Sequence, residues 1–283
     1  MIKNEIGEVM NEVVFPGLGL KFEFSKVAFR IFGLAVYKYA ICIVIGIALS
    51  LVLMRVSKAK FGIKYEDVLK CAIWTIIFGT IGARLFYVIF SMNYYIHHLG
   101  EIFMLKQGGL AIYGGLIAGA ITIYVYCKKK KIDYLDMFDY IAPFVALTQC
   151  IGRWGNFFNV EAYGSETKLP WRMGIHATGF VEVHPVFFYE SIICLALFVF
   201  LFLYQQKRKY KGEIILYYLM GYGIARFFLE GLRADSLMLF GQRVSQYVSG
   251  LIVMLGAVFL YYRKKYVKPS ENAEVNSAKA KEE

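Results

Sequence analysis

Acidic residues are scarce in this chain: 21 aspartates and glutamates face 32 lysines and arginines, a formal net charge of +11. Cysteine is scarce too, at Cys42, Cys71, Cys127, Cys150 and Cys194. An odd, dispersed set without a C-x-x-C pair excludes a disulfide framework and a metal cluster, and leaves small buried apolar side chains as the reading. There is no convincing internal repeat, which argues against a transporter built of symmetric repeats. Met1 to Arg30 is mixed in charge and lacks a compact apolar core ending in small residues, so no cleavable signal peptide is expected. From Pro269 onward, "PSENAEVNSAKAKEE" is polar and without aromatics, and residues 269–283 are expected to form a disordered tail.

What is abundant is apolar surface. Hydrophobic residues make up 58% and aromatics 17% of the 283 residues, with a mean hydropathy of +0.51, which excludes an ordinary soluble domain. Seven apolar stretches recur, roughly at 33–54, 68–92, 109–127, 135–152, 186–204, 214–230 and 245–262. Each is long enough to cross a hydrocarbon core of about 30 Å as a helix. The fourth is interrupted by Pro143 and Gln149. Because helices satisfy their own backbone groups in lipid, the expected fold is an all-α integral membrane protein of seven transmembrane helices over residues 1–268.

The placement of charge sets the orientation. Basic clusters follow alternate spans: Arg55 to Lys64, Lys128 to Lys131, Lys207 to Lys211, and Arg263 to Lys268. Positive ends stay cytoplasmic, so the N-terminus is expected outside and the C-terminus inside. Topology thus accounts for the basic excess, and no nucleic-acid partner is needed.

Arginine is sorted differently from lysine. About sixteen of the 22 lysines fall at inner ends or in the tail, yet seven of the ten arginines (Arg30, Arg84, Arg153, Arg172, Arg226, Arg233 and Arg243) fall at outer ends or in outer loops. A planar guanidinium binds phosphate or carboxylate with two parallel bonds and stays charged when partly dehydrated. Ionisable residues at a membrane edge are costly and mark function by default. In "GYGIARFFLEGLR", Arg226, Glu230 and Arg233 share a helical face, either as a structural ion pair or as a binding group. Arg84 sits among small residues that permit close packing, and its role is open on the same grounds. The paired glycines of "GGLAIYGGLIAGA" allow close approach of a ligand or a helix. Small-residue packing explains Gly115 and Gly119, while Tyr113 reads either as an interfacial tyrosine or as a group at the mouth of the bundle.

The stretch from Arg153 to Pro185 is long for a membrane hairpin, and is expected to be a small extracytoplasmic head touching substrate. Asn156 and Asn159 supply amides there, and Glu161 a carboxylate. Glu190 stands one turn inside the fifth span. Helix capping for Asn156 and core pairing for Glu190 are the structural alternatives. Together these groups describe an arginine-lined, amide-rich cavity suited to an anionic lipid headgroup.

The same residues carry a family resemblance. "GRWGNFFNVEAYG" closely resembles the signature G-R-x-G-N-F-x-N-x-E-x-x-G of prolipoprotein diacylglyceryl transferases. "GGLAIYGGLIAG", "HPVFFYE", "GYGIARFFLEGLR" and "SQYVS" are similar to further motifs of that family, in order, to about residue 262. The resemblance implies seven transmembrane helices in a bacterial cell membrane. It also implies transfer of a diacylglyceryl group from phosphatidylglycerol to the lipobox cysteine of a prolipoprotein, with no metal or redox cofactor. It makes Arg153 the phospholipid-binding arginine and Arg233 a second essential one, with Asn156, Glu161 and Gly164 shaping the pocket. Tyr39, Glu190, Arg226, Glu230 and Gln246 fall on other recurrent polar positions.

One position departs from the pattern. Several members carry histidine where this chain has Tyr113, so the proton acceptor is open between Tyr113, His184 and a carboxylate such as Glu161. A catalytically silent lipid-binding protein and a lipid transporter are the competing classes, although a transporter would place its charges nearer mid-membrane. The topology makes a direct prediction. A reporter active only outside the cell should work when fused after Ser91 or Thr167 and fail after Lys130 or Lys209; the reverse pattern would overturn both the orientation and the outer site.

Overall fold

A computed structural model describes residues 10–57, 61–104, 108–234, 238–239 and 241–266. The expected tail at 269–283 lies outside the described residues. Among the described residues eight helices form: α1 (Lys38–Val56), α2 (Tyr65–Phe90), the short α3 (Met92–Tyr95), α4 (Ile112–Lys130), α5 (Tyr134–Asn159), α6 (Val186–Tyr204), α7 (Glu213–Leu232) and α8 (Val244–Tyr266). Four apolar helical segments, Lys38–Val56, Tyr65–Phe90, Val186–Lys207 and Val244–Tyr266, are long and apolar enough to cross a membrane. Many of their large apolar side chains are exposed, among them Val44, Ile73, Leu203 and Val258, as a lipid-facing surface requires.

The chain is not all helical. Strands β1 (Met10–Phe15) and β2 (Leu20–Ser25) form a hairpin, with Phe15 opposite Leu20. The turn between them reads Pro-Gly-Leu-Gly, and its last glycine adopts φ 66°, a conformation that costs glycine little. A second hairpin joins β3 (Val27–Ile31) to β4 (Leu34–Tyr37). The first apolar span was expected from about residue 33, but Gly33–Tyr37 lies in this hairpin and the helix starts at Lys38. Further along, β5 (Met173–Ile175) pairs with β1, and β6 (Glu182–Val183) pairs with β5. The sheet order is β2-β1-β5-β6. This sheet joins the N-terminal segment to the stretch between α5 and α6. A third hairpin, β7 (Met238–Leu239) with β8 (Gln242–Arg243), precedes α8.

Two compact units divide the chain: Met1–Val56 with Ile141–Glu283, and Ser57–Tyr140. In the first, Val13, Phe24, Phe157, Met173, Ile175, Val183 and Phe187 form the core under the sheet. A second cluster, Ala142, Ala146, Leu201, Ile214 and Tyr218, joins α5, α6 and α7. The helix α5 runs through Pro143 and on to Asn159. The signature residues Arg153, Asn156 and Asn159 are thus its last turns, where the sequence suggested a loop.

In the second unit α2 and α4 pack closely. A Cβ on Gly82 would stand 2.9 Å from the Gly114 carbonyl oxygen, and one on Gly114 would stand 2.5 Å from that of Gly82. Gly115 and Gly119, the expected packing residues, have looser neighbours at 3.5 and 3.4 Å. The closest approach belongs to Gly82 and Gly114 because the side-chain position of each faces the carbonyl oxygen of the other. The chain entering α4 is organised around Arg84, which is buried and donates to the carbonyls of Glu101 (2.6 Å), Ile102 (2.8 Å), Gly108 (2.8 Å) and Gly109 (3.0 Å). Its guanidinium also lies 5.4 Å from the Tyr95 ring centroid. Gly108 and Gly109 take φ of 83° and 72° to wrap it, and a side chain at 109 would collide with the Tyr87 ring. Gly114→Leu should therefore destabilise the purified protein by about 1–3 kcal/mol through overpacking, read as a lower thermal midpoint in detergent. Gly119→Ala should be nearly neutral. Equal effects at both positions would show that the helices do not meet at residues 82 and 114.

Candidate functional site

Three helices of the first unit bring their polar side chains to one place. Arg153 stands six residues before the end of α5, and Glu190 one turn into α6. Tyr222, Arg226 and Glu230 follow at four-residue steps on α7, which stacks them on one face. Glu190 and Glu230 are 1% and 3% exposed. One oxygen of Glu190 pairs with Arg153 Nη2 at 2.5 Å and accepts the Tyr222 hydroxyl at 2.8 Å. Its other oxygen meets Arg226 Nη1 at 3.5 Å. Arg226 Nη2 then pairs with Glu230 at 2.5 Å. The Tyr222 oxygen also accepts from Arg153 at 3.2 Å. Charges that would each be costly to bury alone are thereby linked in a chain.

The network extends from Arg153 along α5. Its Nη1 donates to the Asn156 side-chain oxygen at 3.3 Å, and the Asn156 amide nitrogen donates to Glu161 Oε1 at 2.8 Å. Asn159 donates to the same oxygen at 3.3 Å. Asn156 is a relay between a cation and a carboxylate, beyond the capping its position suggested. Glu161 sits just past the helix between two non-glycine residues with positive φ, Val160 at 55° and Ala162 at 57°. A β-branched residue in that region is a clear outlier, and such strain costs on the order of 1–3 kcal/mol per residue. The backbone is bent so that Glu161 turns back over its own helix. Held strain of this kind points to a site.

Gly164 and Arg233 tie this corner to the end of α7. Their backbones form an antiparallel bridge, and Ser165 N–H donates to the Leu232 carbonyl at 2.8 Å. A Cβ on Gly164 would lie 2.7 Å from that of His184 and 2.8 Å from the Leu232 oxygen, so a larger residue would force the strands apart. Arg233 caps α7, its N–H donating to Glu230 at 3.2 Å. From β8, Arg243 donates to the Glu230 carbonyl, and from α8 Gln246 Nε2 donates to the Phe227 carbonyl at 3.0 Å. Tyr39, on the first turn of α1, lays its ring against Gly155, where a Cβ would strike it.

Two proton-acceptor candidates have distinct surroundings. Trp171, a donor only, gives its indole N–H to the Tyr189 hydroxyl at 2.7 Å, and that hydroxyl lies 3.2 Å from His184 Nδ1. The direction of the Tyr189–His184 hydrogen bond follows the imidazole tautomer, and burial lowers the His184 pKa below the ordinary histidine value. Tyr113 belongs to the second unit, on the first turn of α4, with its side chain exposed.

The structure brings together Arg153, Asn156, Glu161, Glu190, Arg226 and Glu230, with Gly164, Arg233 and Gln246 fastened around them. Sequence reasoning passed over two members. Tyr222 stands four residues before Arg226 and so shares its face, a signal that was present in "GYGIARFF". Arg243 was counted among the outer arginines, but only the β7–β8 hairpin brings it to Glu230.

The family model for prolipoprotein diacylglyceryl transferase matches residues 26–262. A phosphatidylglycerol–prolipoprotein diacylglyceryl transferase of Finegoldia magna is 45% identical over 250 residues, covering 87% of this chain and 99% of that protein. A relative of the same name from Clostridioides difficile is 44% identical over 243 residues, covering 85% and 96%. Another from Streptococcus uberis is 41% identical over 248 residues, covering 85% and 96%. With the family model spanning the signature helix and the arginine–glutamate chain, and relatives of 41–45% identity covering 85% or more of the chain, this protein belongs to the prolipoprotein diacylglyceryl transferase family.

Proposed function

We propose that this chain transfers the diacylglyceryl group of phosphatidylglycerol to the cysteine thiol of a prolipoprotein lipobox. The thiol sulfur attacks the glycerol carbon, the carbon–oxygen bond to phosphate breaks, and glycerol phosphate leaves. The thiol proton passes to a base or to solvent. The observation that carries this reading is the joint hold of Glu190 on Arg153 and Arg226. It sets two guanidinium groups against one carboxylate, one on each oxygen, and a lipid phosphate presents a similar two-oxygen face. Around the site four arginines (Arg153, Arg226, Arg233 and Arg243) stand against three glutamates (Glu161, Glu190 and Glu230), an excess of one positive charge that suits one phosphodiester. Guanidinium groups already oriented would stabilise the negative charge that grows on the departing phosphate.

In this reading Arg153 and Arg233 bind the phosphate, Asn156, Gly164 and Gln246 shape the pocket, and Tyr39 packs beside the signature helix. Glu190, Arg226 and Glu230 keep the arginines aligned, and Glu161 is the carboxylate nearest the Arg153 relay. A free thiol has a pKa near 8.5, so a positive field serves catalysis by favouring its thiolate. We place all seven long helices across the bacterial cell membrane, with the N-terminus and head outside, the C-terminus cytoplasmic, and the transferase domain over residues 1–268.

Turnover tests the assignment. Purified protein with phosphatidylglycerol vesicles and a lipobox peptide should add diacylglyceryl mass to the cysteine. Arg153→Lys keeps the charge but loses the fork, and one lost charge-assisted contact of about 1.5–3 kcal/mol implies a fall of roughly 10- to 150-fold. Wild-type turnover in that variant would reduce Arg153 to packing. Tyr113 is assigned to positioning lipid. A phenol with a reference pKa near 10 is poorly matched to the thiol, so Tyr113→Phe should raise the phosphatidylglycerol concentration needed and spare the maximal rate. A hundredfold fall in maximal rate across the pH–rate profile, with folding intact, would make Tyr113 an acid–base group instead.

A further inference from the structure

A cavity of about 230 Å³ opens in the head, lined by apolar side chains that include Leu20, Phe22, Trp154, Trp171, Phe187 and Phe188. It is not part of the arginine–glutamate chain, but it adjoins it, since Trp154 follows Arg153 on α5. One wall is β2. Along this strand Leu20, Phe22 and Phe24 alternate with Lys21 and Glu23, and alternate residues of a strand point to opposite faces. Phe22 and Phe24 lie 5.9 and 4.9 Å from the Phe157 ring, so the even-numbered residues face α5 and the cavity. The odd face is occupied by Lys21, paired with Glu12 at 3.0 Å and Glu23 at 2.8 Å.

The strand is also at the edge of its sheet. In the order β2-β1-β5-β6, β2 pairs with β1 on one side, and among the described residues nothing pairs with it on the other. An extended polypeptide can add to such an edge through its main chain, and its alternate side chains then fall on the same face as those of the host strand. Here that face is the cavity. The volume decides between occupants, because it is below the roughly 300–1,000 Å³ of ordinary small-molecule pockets. It suits one or two aliphatic side chains, and not the two acyl chains of a phospholipid. The paired charges on the outer face of β2 offer no net attraction to an anion, so recognition there is by main chain and apolar contact.

We propose that the β2 edge and this cavity are the docking surface for the prolipoprotein, which adds as an extended strand and inserts apolar side chains close to its accepting cysteine. This rests on the transferase reading for the identity of the partner, and predicts that an apolar side chain, in addition to the thiol, is read at the head. Leu20 is 48% exposed, so replacing it spares the core.

The test introduces the photo-crosslinker p-benzoylphenylalanine in place of Leu20 in the full-length protein, held in phosphatidylglycerol vesicles. The probe is a lipobox peptide whose cysteine is changed to serine, so that it binds without reacting. Irradiation should give a peptide adduct. A peptide with its apolar residues near that position changed to aspartate should compete at least tenfold less well. In turnover, Leu20→Glu should raise the KM for the cysteine peptide about tenfold and leave that for phosphatidylglycerol unchanged. An adduct to lipid, no peptide adduct, or a rise confined to the phosphatidylglycerol KM would each overturn the proposal. The adduct is scored without catalysis, so a wild-type protein that binds the peptide but transfers nothing would defeat the transferase reading while leaving the docking surface standing.

Discussion

The carboxylate of Glu190 is the constraint on which the site depends. It is 1% exposed and takes hydrogen bonds or ion pairs from α5 through Arg153 and from α7 through Tyr222 and Arg226. An arginine in apolar surroundings is tolerated only with a partner. Removing one member of a buried pair typically costs about 3–5 kcal/mol, because the other is left uncompensated. Glu190 therefore does two things with one set of contacts. It makes burial of two guanidinium groups affordable, and by anchoring both it aims their planar forks in a fixed direction. In the proposed reading a phosphate arriving at those forks competes with a carboxylate of similar shape and meets arginines already oriented.

The signature helix explains why amides, charge and aromatics are interleaved in one stretch. Arg153 and Asn156, three apart, lie on the polar side of α5 and join the relay to Glu161. Trp154 and Phe157, also three apart, lie on another side and pack against Phe187 at 5.9 and 5.3 Å. One helix end thus belongs to the polar site and to the core under the sheet together. The strained turn at Val160 and Ala162 follows from that double duty. Phe158 and Val160 are packed against the head core, while Glu161 between them and the next strand must turn back to meet two asparagines. The hydrogen bonds and the core packing offset the strain.

Long apolar runs were legible because lipid-facing helices carry little else, and the 186–204 stretch agrees with α6 at both ends. The N-terminal hairpins were not read, although Val13, Phe15, Leu20, Phe22 and Phe24 alternate around a Pro-Gly turn. Their partner strand β5 lies some 160 residues further along, and a strand of that kind is stabilised by pairing that no local window contains. The end of α5 was set too early because amides and a charge read as loop, whereas their helical spacing is what brings them onto one face. Glu190, by contrast, was identifiable in kind: an isolated carboxylate in an apolar span needs a cation, and the outer arginines were the available ones.

Arg84 shows why position along the chain was insufficient for the arginines. By charge placement it ranked with Arg153 and Arg226, yet its guanidinium donates to four backbone carbonyls of the segment that leads into α4. Those carbonyls satisfy its N–H groups without presenting a neutralising carboxylate. The glycines at 108 and 109 are needed so that the backbone can turn its oxygens inward. Sequence analysis read the paired glycines as room for a ligand or a helix; at 108 and 109 that room is taken by this side chain. The same residue type thus does opposite work in the two units. In one it is aligned by carboxylates that an anion can rival; in the other it is enclosed by a loop and fixes how the chain enters the helix that carries Tyr113.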